Sequence, residues 1–165
     1  MTRKDYNLCV DKFADGLFRF IIKNIRDEEK ARDIVQETFA KVWQKVDDIP
    51  FEKGKSYLFT TAYHTMIDEI RKSEKMQRME AQHHTLQSSH NSYSDLKEIL
   101  DDALKTLSEI QRSVVLLRDY EGYSYSEIGT ITGLTESQVK VYIFRARLHL
   151  KKYLQSVENV LEIPA

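Results

Sequence analysis

Between Glu136 and Lys152 the chain carries five cations, Lys140, Arg145, Arg147, Lys151 and Lys152, against one acid, Glu136. At helical spacing Val139, Ile143, Ala146 and Leu150 fall on one face, and Ser137, Val141, Phe144 and Leu148 on the opposite one. Lys140 and Lys151 flank that outer face on one side, and Gln138, Arg145 and Lys152 on the other. These groups suit the major groove of duplex DNA. An amide such as Gln138 can read an adenine edge, an ammonium such as Lys140 a guanine edge, and Val141 and Phe144 can meet thymine methyls or sugars. Arg145 and Arg147 suit phosphates. Two simpler readings stand beside this one: a basic, solvated surface helix, and an exposed Phe144 that meets a protein instead of DNA.

The elements around that helix are strongly punctuated. Ser108-x-x-Gln111, Ser124-x-x-Glu127 and Thr135-x-x-Gln138 are three capping boxes in succession. Gly122 and Gly133 stand where helices must stop. With the stripe Leu96, Ile99, Leu100, Ala103, Leu104 and Leu107, four helices are predicted in about sixty residues. Ser124–Thr132, the turn Gly133-Leu134-Thr135 and the helix from Glu136 fit a helix-turn-helix. The stretch Asp95–Glu121 holds seven acids and four bases, so positive charge is concentrated on the last helix.

The N-terminal block, from about Tyr6 to Lys72, also reads as helices. Phe13, Leu17, Phe18, Ile21, Ile22 and Ile25 make one stripe. Ala31, Ile34, Val35, Thr38, Val42 and Val46 make a second, after the charged turn Arg26–Glu29. Pro50 and Gly54 interrupt the pattern, and a third helix starts near Ser56. Its inner side holds Leu58, Phe59, Ala62, Met66 and Ile70; its outer side holds Tyr57, Thr60, Thr61, His64, Asp68 and Arg71. An aromatic ring, hydroxyls, an imidazole and a cation on one face suit single-stranded DNA, with bases stacked on Tyr57. Trp43, at the edge of the second stripe, is expected in the core. Phe51 suits either a core plug or a base-binding loop. Asp33, Gln36, Glu37, Ala40 and Gln44 share the face opposite the second stripe, which is either a solvated face or a docking face for Arg-rich helices. Ser73–Ser94, polar and aperiodic, reads as a linker with helix at its start.

Composition bounds the function. The chain has 165 residues, 31% charged and 41% hydrophobic, with a formal net charge of −1. A protein binding DNA unaided through many phosphates would usually be basic, so a partner is expected to supply affinity. Cys9 is the only cysteine, which removes a disulfide framework and a cysteine-built zinc site. No apolar run is long enough to span a bilayer and no secretory leader is visible, so no membrane insertion and a cytoplasmic location are expected. His83, His84, His90 and Asp95 could be imagined as a metal site, but such polar clusters are usually solvated. No phosphate loop, nucleophile elbow or paired-carboxylate signature is found, so neither enzyme nor cofactor is expected.

Several stretches resemble one family. Leu107–Arg112, Glu121–Ile128 and Ser137–Arg147 are similar to domain four of extracytoplasmic-function sigma factors, the group-four RNA polymerase sigma factors. Ala31–Phe39 with Lys41-Val-Trp43, and Ser56–His64 with Ile67–Lys72, are similar to their domain two. The resemblance implies an all-α fold of two small domains joined by a flexible linker, the second a helix-turn-helix of the winged-helix-like sigma domain-four type. It implies domain two at 1–75, a linker at 76–94 and domain four at 95–155. It further implies a bacterial alternative sigma factor that binds core RNA polymerase, directs it to promoter DNA and assists melting.

The implied minus-thirty-five contacts are Ser137, Gln138, Lys140, Val141, Tyr142, Phe144 and Arg145. The implied minus-ten contacts are Phe51, Tyr57, Thr60, Thr61, His64 and Arg71, with the loop at 46–55 capturing a flipped base. Asp33, Gln36 and Glu37 would dock on the polymerase clamp. An anti-sigma factor, often membrane-anchored in this family, is the further implied partner. The chain departs from the family at Tyr63-His64 (commonly Arg-Asn), Tyr57 (commonly Trp), Gly129 (commonly Ala) and Val141-Tyr142 (often Ser-Arg). An ordinary helix-turn-helix regulator would also explain residues 95–153, but it gives no role to the second and third helices.

Overall fold

The computed structural model describes residues 1–80 and 96–161, with side chains described to Glu158. Seven α-helices follow in order: α1 Arg3–Ile25, α2 Glu28–Gln44, α3 Gly54–Met79, α4 Leu96–Lys105, α5 Glu109–Val115, α6 Tyr125–Thr132 and α7 Glu136–Leu161. Two single 3₁₀ turns, Val46–Asp48 and Phe51–Lys53, join α2 to α3, and a π-helical turn, Leu116–Tyr120, extends α5. The stretch read as the linker lies mostly outside the described residues, as do the three histidines and Asp95. Its start is helical, because α3 runs on to Met79.

Local chemistry sets the helix ends. The side chains of Ser108, Ser124 and Thr135 each accept from the backbone N–H three residues on, and Gln111, Glu127 and Gln138 accept from the cap backbone in return. A fourth box, Thr2 with Asp5, starts α1. Gly133 ends α6 at φ 76°, a left-handed conformation in which a Cβ is strained, and its N–H donates to the Gly129 carbonyl.

α1, α2 and α3 bury Leu17, Phe20, Ile21, Ile34, Val42, Leu58, Phe59 and Met66 between them. All six residues of the second predicted stripe are buried, so α2 lies against α1 and α3 as its period requires. The C-terminal helices enclose Leu104, Val114, Leu116, Leu117, Ile128, Ile131, Val139 and Ile143. Full burial of each such side chain contributes roughly 1.5–3 kcal/mol before entropy is counted. The two cores meet. Phe59, fully buried, sits 6.2 Å from the Phe20 ring and 4.9 Å from Tyr123, edge-on at 86°.

Gly129 faces the turn of the helix-turn-helix. A Cβ there would stand 2.8 Å from the Leu134 carbonyl oxygen, a backbone atom. Alanine would gain about 1 kcal/mol of helix propensity, but crowding a packed turn costs ~1–3 kcal/mol. Gly129→Ala is expected to lower the melting temperature, by roughly 2–4 °C per net kcal/mol for a chain of this size. A rise on calorimetry would mean that the α6–α7 turn shifts freely.

Candidate nucleic-acid interface

α7 presents two chemically different faces because its apolar residues recur at helical period. Val139, Ile143 and Ala146 are buried against α5 and α6, with Leu150 half-buried beside them. Ser137, Gln138, Lys140, Val141, Phe144, Arg145 and Leu148 are exposed, Phe144 by 68%. Val141 forms a ridge between two grooves. One, of about 440 Å³, runs between Tyr125, Lys140, Phe144 and Arg147. The other, of about 290 Å³, is lined by Ser137, Gln138, Tyr142 and Arg145.

The cations on this face differ in freedom. Arg145 makes no ion pair among the described residues. Lys140 lies 5.5 Å over the Tyr125 ring, which also carries Arg118 at 4.5 Å. Arg147 grips Asp119 bidentately, its Nε donating to Oδ2 at 3.0 Å and its Nη2 to Oδ1 at 2.6 Å. Its charge is thus partly neutralised at home. Gln138 is also engaged, since its Oε1 accepts from the Thr135 N–H at 2.9 Å. A bidentate adenine contact needs that oxygen, so such a contact would give up one cap bond. Tyr142 is half-buried and packs on the core.

On α3 the expected outer face is accessible. Tyr57 is 41% exposed, His64, Asp68 and Arg71 are exposed, and Thr60 and Thr61 are half-buried. The preceding loop is anchored from the other end of the chain. The Met1 ammonium donates to the carbonyls of Val46 at 2.8 Å and Ile49 at 2.6 Å, and Ile49 is buried. Phe51 is no core plug. It is 48% exposed, at the rim of a groove of about 270 Å³ whose walls include Leu8, Cys9, Phe13 and Lys55. Burial raises the Cys9 thiol above its ordinary range, with Asp5 adding to the shift and Lys12 opposing it.

Trp43 corrects another expectation. It is 40% exposed, with the Tyr6 ring edge-on at 4.9 Å and the Arg3 guanidinium 5.7 Å from its ring. The core at that level is filled by Val42 and Val46, so the indole is left at the rim. On α2 the polar face Asp33, Gln36, Glu37, Ala40 and Gln44 is exposed, with Glu37 paired to Lys41 at 2.8 Å.

Sequence reasoning missed the residues at the seam between the two helical groups. Tyr63, one of the departures from the family, is buried, and burial raises its phenol, with Glu109 adding to the shift and Arg71 opposing it. Arg19, Asn24 and Lys55 also face the C-terminal helices.

Among the described residues no group of His, Cys, Asp and Glu could hold a metal ion, and no helix is long and apolar enough to cross a membrane. The Sigma-70 region 2 family matches residues 9–76, and Sigma-70, region 4 matches residues 97–150. The ECF RNA polymerase sigma factor SigM of Bacillus subtilis is 26% identical over 145 residues, 84% of this chain and 88% of that protein. The ECF RNA polymerase sigma factor SigL of Mycobacterium tuberculosis is 29% identical over 154 residues, 89% and 87% of the two chains. Among solved structures, the sigma factor RpoE of Bartonella quintana, in complex with the anti-sigma factor NepR, superposes with a TM-score of 0.78 at 27% identity, over 92% of this chain and 98% of that one. With both sigma-70 regions in order and both carried on the helices that the residues require, the chain belongs to the extracytoplasmic-function family of RNA polymerase sigma factors, which are non-enzymatic and direct the polymerase to promoters.

Proposed function

We propose that this sigma factor reads a promoter at two places, duplex through α7 and melted strand through α3, and that core polymerase holds the two readers at the right distance. The observation that carries this is the exposure of both polar faces on one chain. Tyr57, His64 and Arg71 on α3 and Lys140, Val141, Phe144 and Arg145 on α7 all face outward. In this reading residues 1–75 form the minus-ten and polymerase-binding unit, 76–94 the linker and 95–155 the minus-thirty-five unit. Ser137, Gln138, Lys140, Val141, Tyr142, Phe144 and Arg145 meet the minus-thirty-five duplex. Phe51, Tyr57, Thr60, Thr61, His64 and Arg71 meet the minus-ten strand, with the groove beside Phe51 as the place for an unstacked base. Asp33, Gln36 and Glu37 dock on the clamp of core polymerase, where adjacent carboxylates and amides match arginine-rich helices.

About one and a half turns of duplex, roughly 50 Å, separate the two elements. A linker of about 19 residues reaches ~65 Å when extended but averages only ~25 Å as a free coil. The polymerase must therefore impose the extended route. The chain would work in the cytoplasm, where the polymerase is. Because the similar RpoE is bound by the anti-sigma factor NepR, a regulator of that class, membrane-anchored or not, is a fitting occupant of the exposed Val141, Phe144 and Leu148 stripe.

A near-neutral chain with two modest contacts gains most from a scaffold that holds both. Gel-shift titration should give poor promoter binding by the chain alone and at least a ~100-fold gain with core polymerase. Reversing Asp33 and Glu37 to lysine should remove most of that gain without changing helicity. Equal affinity with and without core would defeat the reading.

A further inference from the structure

The acidic stretch that precedes the recognition helix has a use inside the chain. Among the described residues, four close ion pairs join the first three helices to the C-terminal unit, and these four run in one direction. Arg19 meets Glu121, Lys23 meets Asp101, Arg26 meets Asp102 and Lys55 meets Glu127, with the base on the N-terminal unit and the acid on the C-terminal one each time.

They are not equal. Arg19 holds Glu121 through two parallel bonds of 2.7 Å each, and the Glu121 side chain is only 5% exposed. Removing Arg19 would leave a buried carboxylate without its partner, which is the costly way to break an ion pair. The other three pairs are partly or largely solvated, contribute little singly and mainly set register. Between them lies a buried amide whose nitrogen and oxygen are both hydrogen-bonded. The Asn24 Nδ2 donates to the Phe20 carbonyl, and its Oδ1 accepts from Arg112 Nε at 3.2 Å and Ser113 Oγ at 3.3 Å. The Lys55 ammonium also lies 3.9 Å over the Tyr123 ring, which packs on Phe59.

This arrangement cannot span a promoter. α6 packs directly on α3, and α7 packs on α6. At helix diameters of ~10–12 Å, the axes of the two reading helices come within about 20 Å of each other, against the roughly 50 Å that the two elements require.

We propose that the free chain is self-closed by this one-directional acid–base latch, centred on Arg19–Glu121 and Asn24, and that the latch competes with loading onto core polymerase. The occupant of the basic face Arg19–Lys23–Arg26–Lys55 is the acidic face of the same chain's own C-terminal unit. Loading onto core thus has to break the latch, and any change that weakens it acts as a gain of function. The competition half of the claim rests on the two-site reading above; the closed state itself does not.

Small-angle scattering of the free, full chain at low salt reads the closed state with no polymerase or promoter present, so its failure is separable from failure of the promoter reading. A closed chain of this length should give a radius of gyration of about 15 Å. Arg19→Glu or Glu121→Arg should each raise it beyond ~20 Å, and the two together should bring it back. Circular dichroism accompanies each variant. If a single reversal loses helix, the joint reversal Lys23→Asp with Arg26→Asp and its complement Asp101→Lys with Asp102→Lys, separately and together, take its place in the same comparison. In parallel, the opened single variants should bind core polymerase about 10-fold more tightly than wild type, as expected if the open form is a tenth of the free population or less. Four results would overturn the proposal: an extended wild type, single reversals that leave the radius unchanged, a double reversal no more compact than the singles, or a radius that grows with protein concentration and so reports exchange between copies. Unchanged core affinity in variants that do open would overturn the competition.

Discussion

Replacing Lys140 and Arg145 together by alanine should cut holoenzyme affinity for a minus-thirty-five-dependent promoter by about 30-fold or more, while core binding stays as in wild type. Each lost contact of this kind costs ~1–3 kcal/mol, and 1.4 kcal/mol is tenfold. Both side chains are exposed on the outer face of α7, and neither is among the groups that hold the fold. The two should differ in character. Arg145, without an ion pair among the described residues, should act through phosphate, so its loss weakens all sequences alike and lowers the salt slope by about one. Lys140, held beside Tyr125 at the edge of the larger groove, should also relax preference at one base pair. Filter binding over a salt series with wild-type and scrambled elements separates the two effects. Loss of core binding in either variant would remove α7 from the role given to it.

The second large effect is expected on α3. Tyr57→Ala should slow formation of the open complex by about 10- to 100-fold, since stacking one base on an aromatic ring is worth ~1–3 kcal/mol. Initial binding to the minus-thirty-five duplex should be nearly unchanged. Tyr57 is exposed, so its removal leaves no cavity and the melting temperature should stay close to wild type. Tyr57→Trp should retain melting, because the larger ring offers the same kind of platform. Permanganate reactivity of unpaired thymines, followed in time, is the readout. Equal rates in Tyr57→Ala and wild type would mean that strand capture lies elsewhere.

Much of this architecture is legible in the amino acids because helix punctuation is local. Ser108, Ser124 and Thr135 each state their helix start within four residues, and Gly133 states an end through the one backbone conformation it alone adopts cheaply. The two faces of α7 follow from spacing alone, so Val139 and Ile143 inside and Val141 and Phe144 outside needed no structure. Trp43 and Phe51 were not settled this way. Trp43 stands at the edge of an apolar stripe and Phe51 in the turn between α2 and α3, where size argues for burial and geometry decides otherwise. The engagement of Gln138 by its own cap was implicit in the motif, but its conflict with base reading emerges only from the bonded oxygen.

The seam between the units was the least legible part. Arg19 and Glu121 are 102 residues apart, and no periodicity links them. Single surface charges look alike until a fold brings two of them together and excludes water from one. The acid excess of Asp95–Glu121 was visible as contrast with α7, and its partners on α1 were not.

The central claim is that this chain makes core polymerase promoter-specific and helps it open DNA through two separated readers. The most direct test is transcription by purified core polymerase over a promoter library, with and without the full chain, with permanganate mapping of the selected sequences. The account predicts initiation only in the presence of the chain, from sequences sharing two elements about one and a half turns apart, with melting confined to the downstream one. Selected sequences that share a single duplex element and show no chain-dependent melting would contradict it.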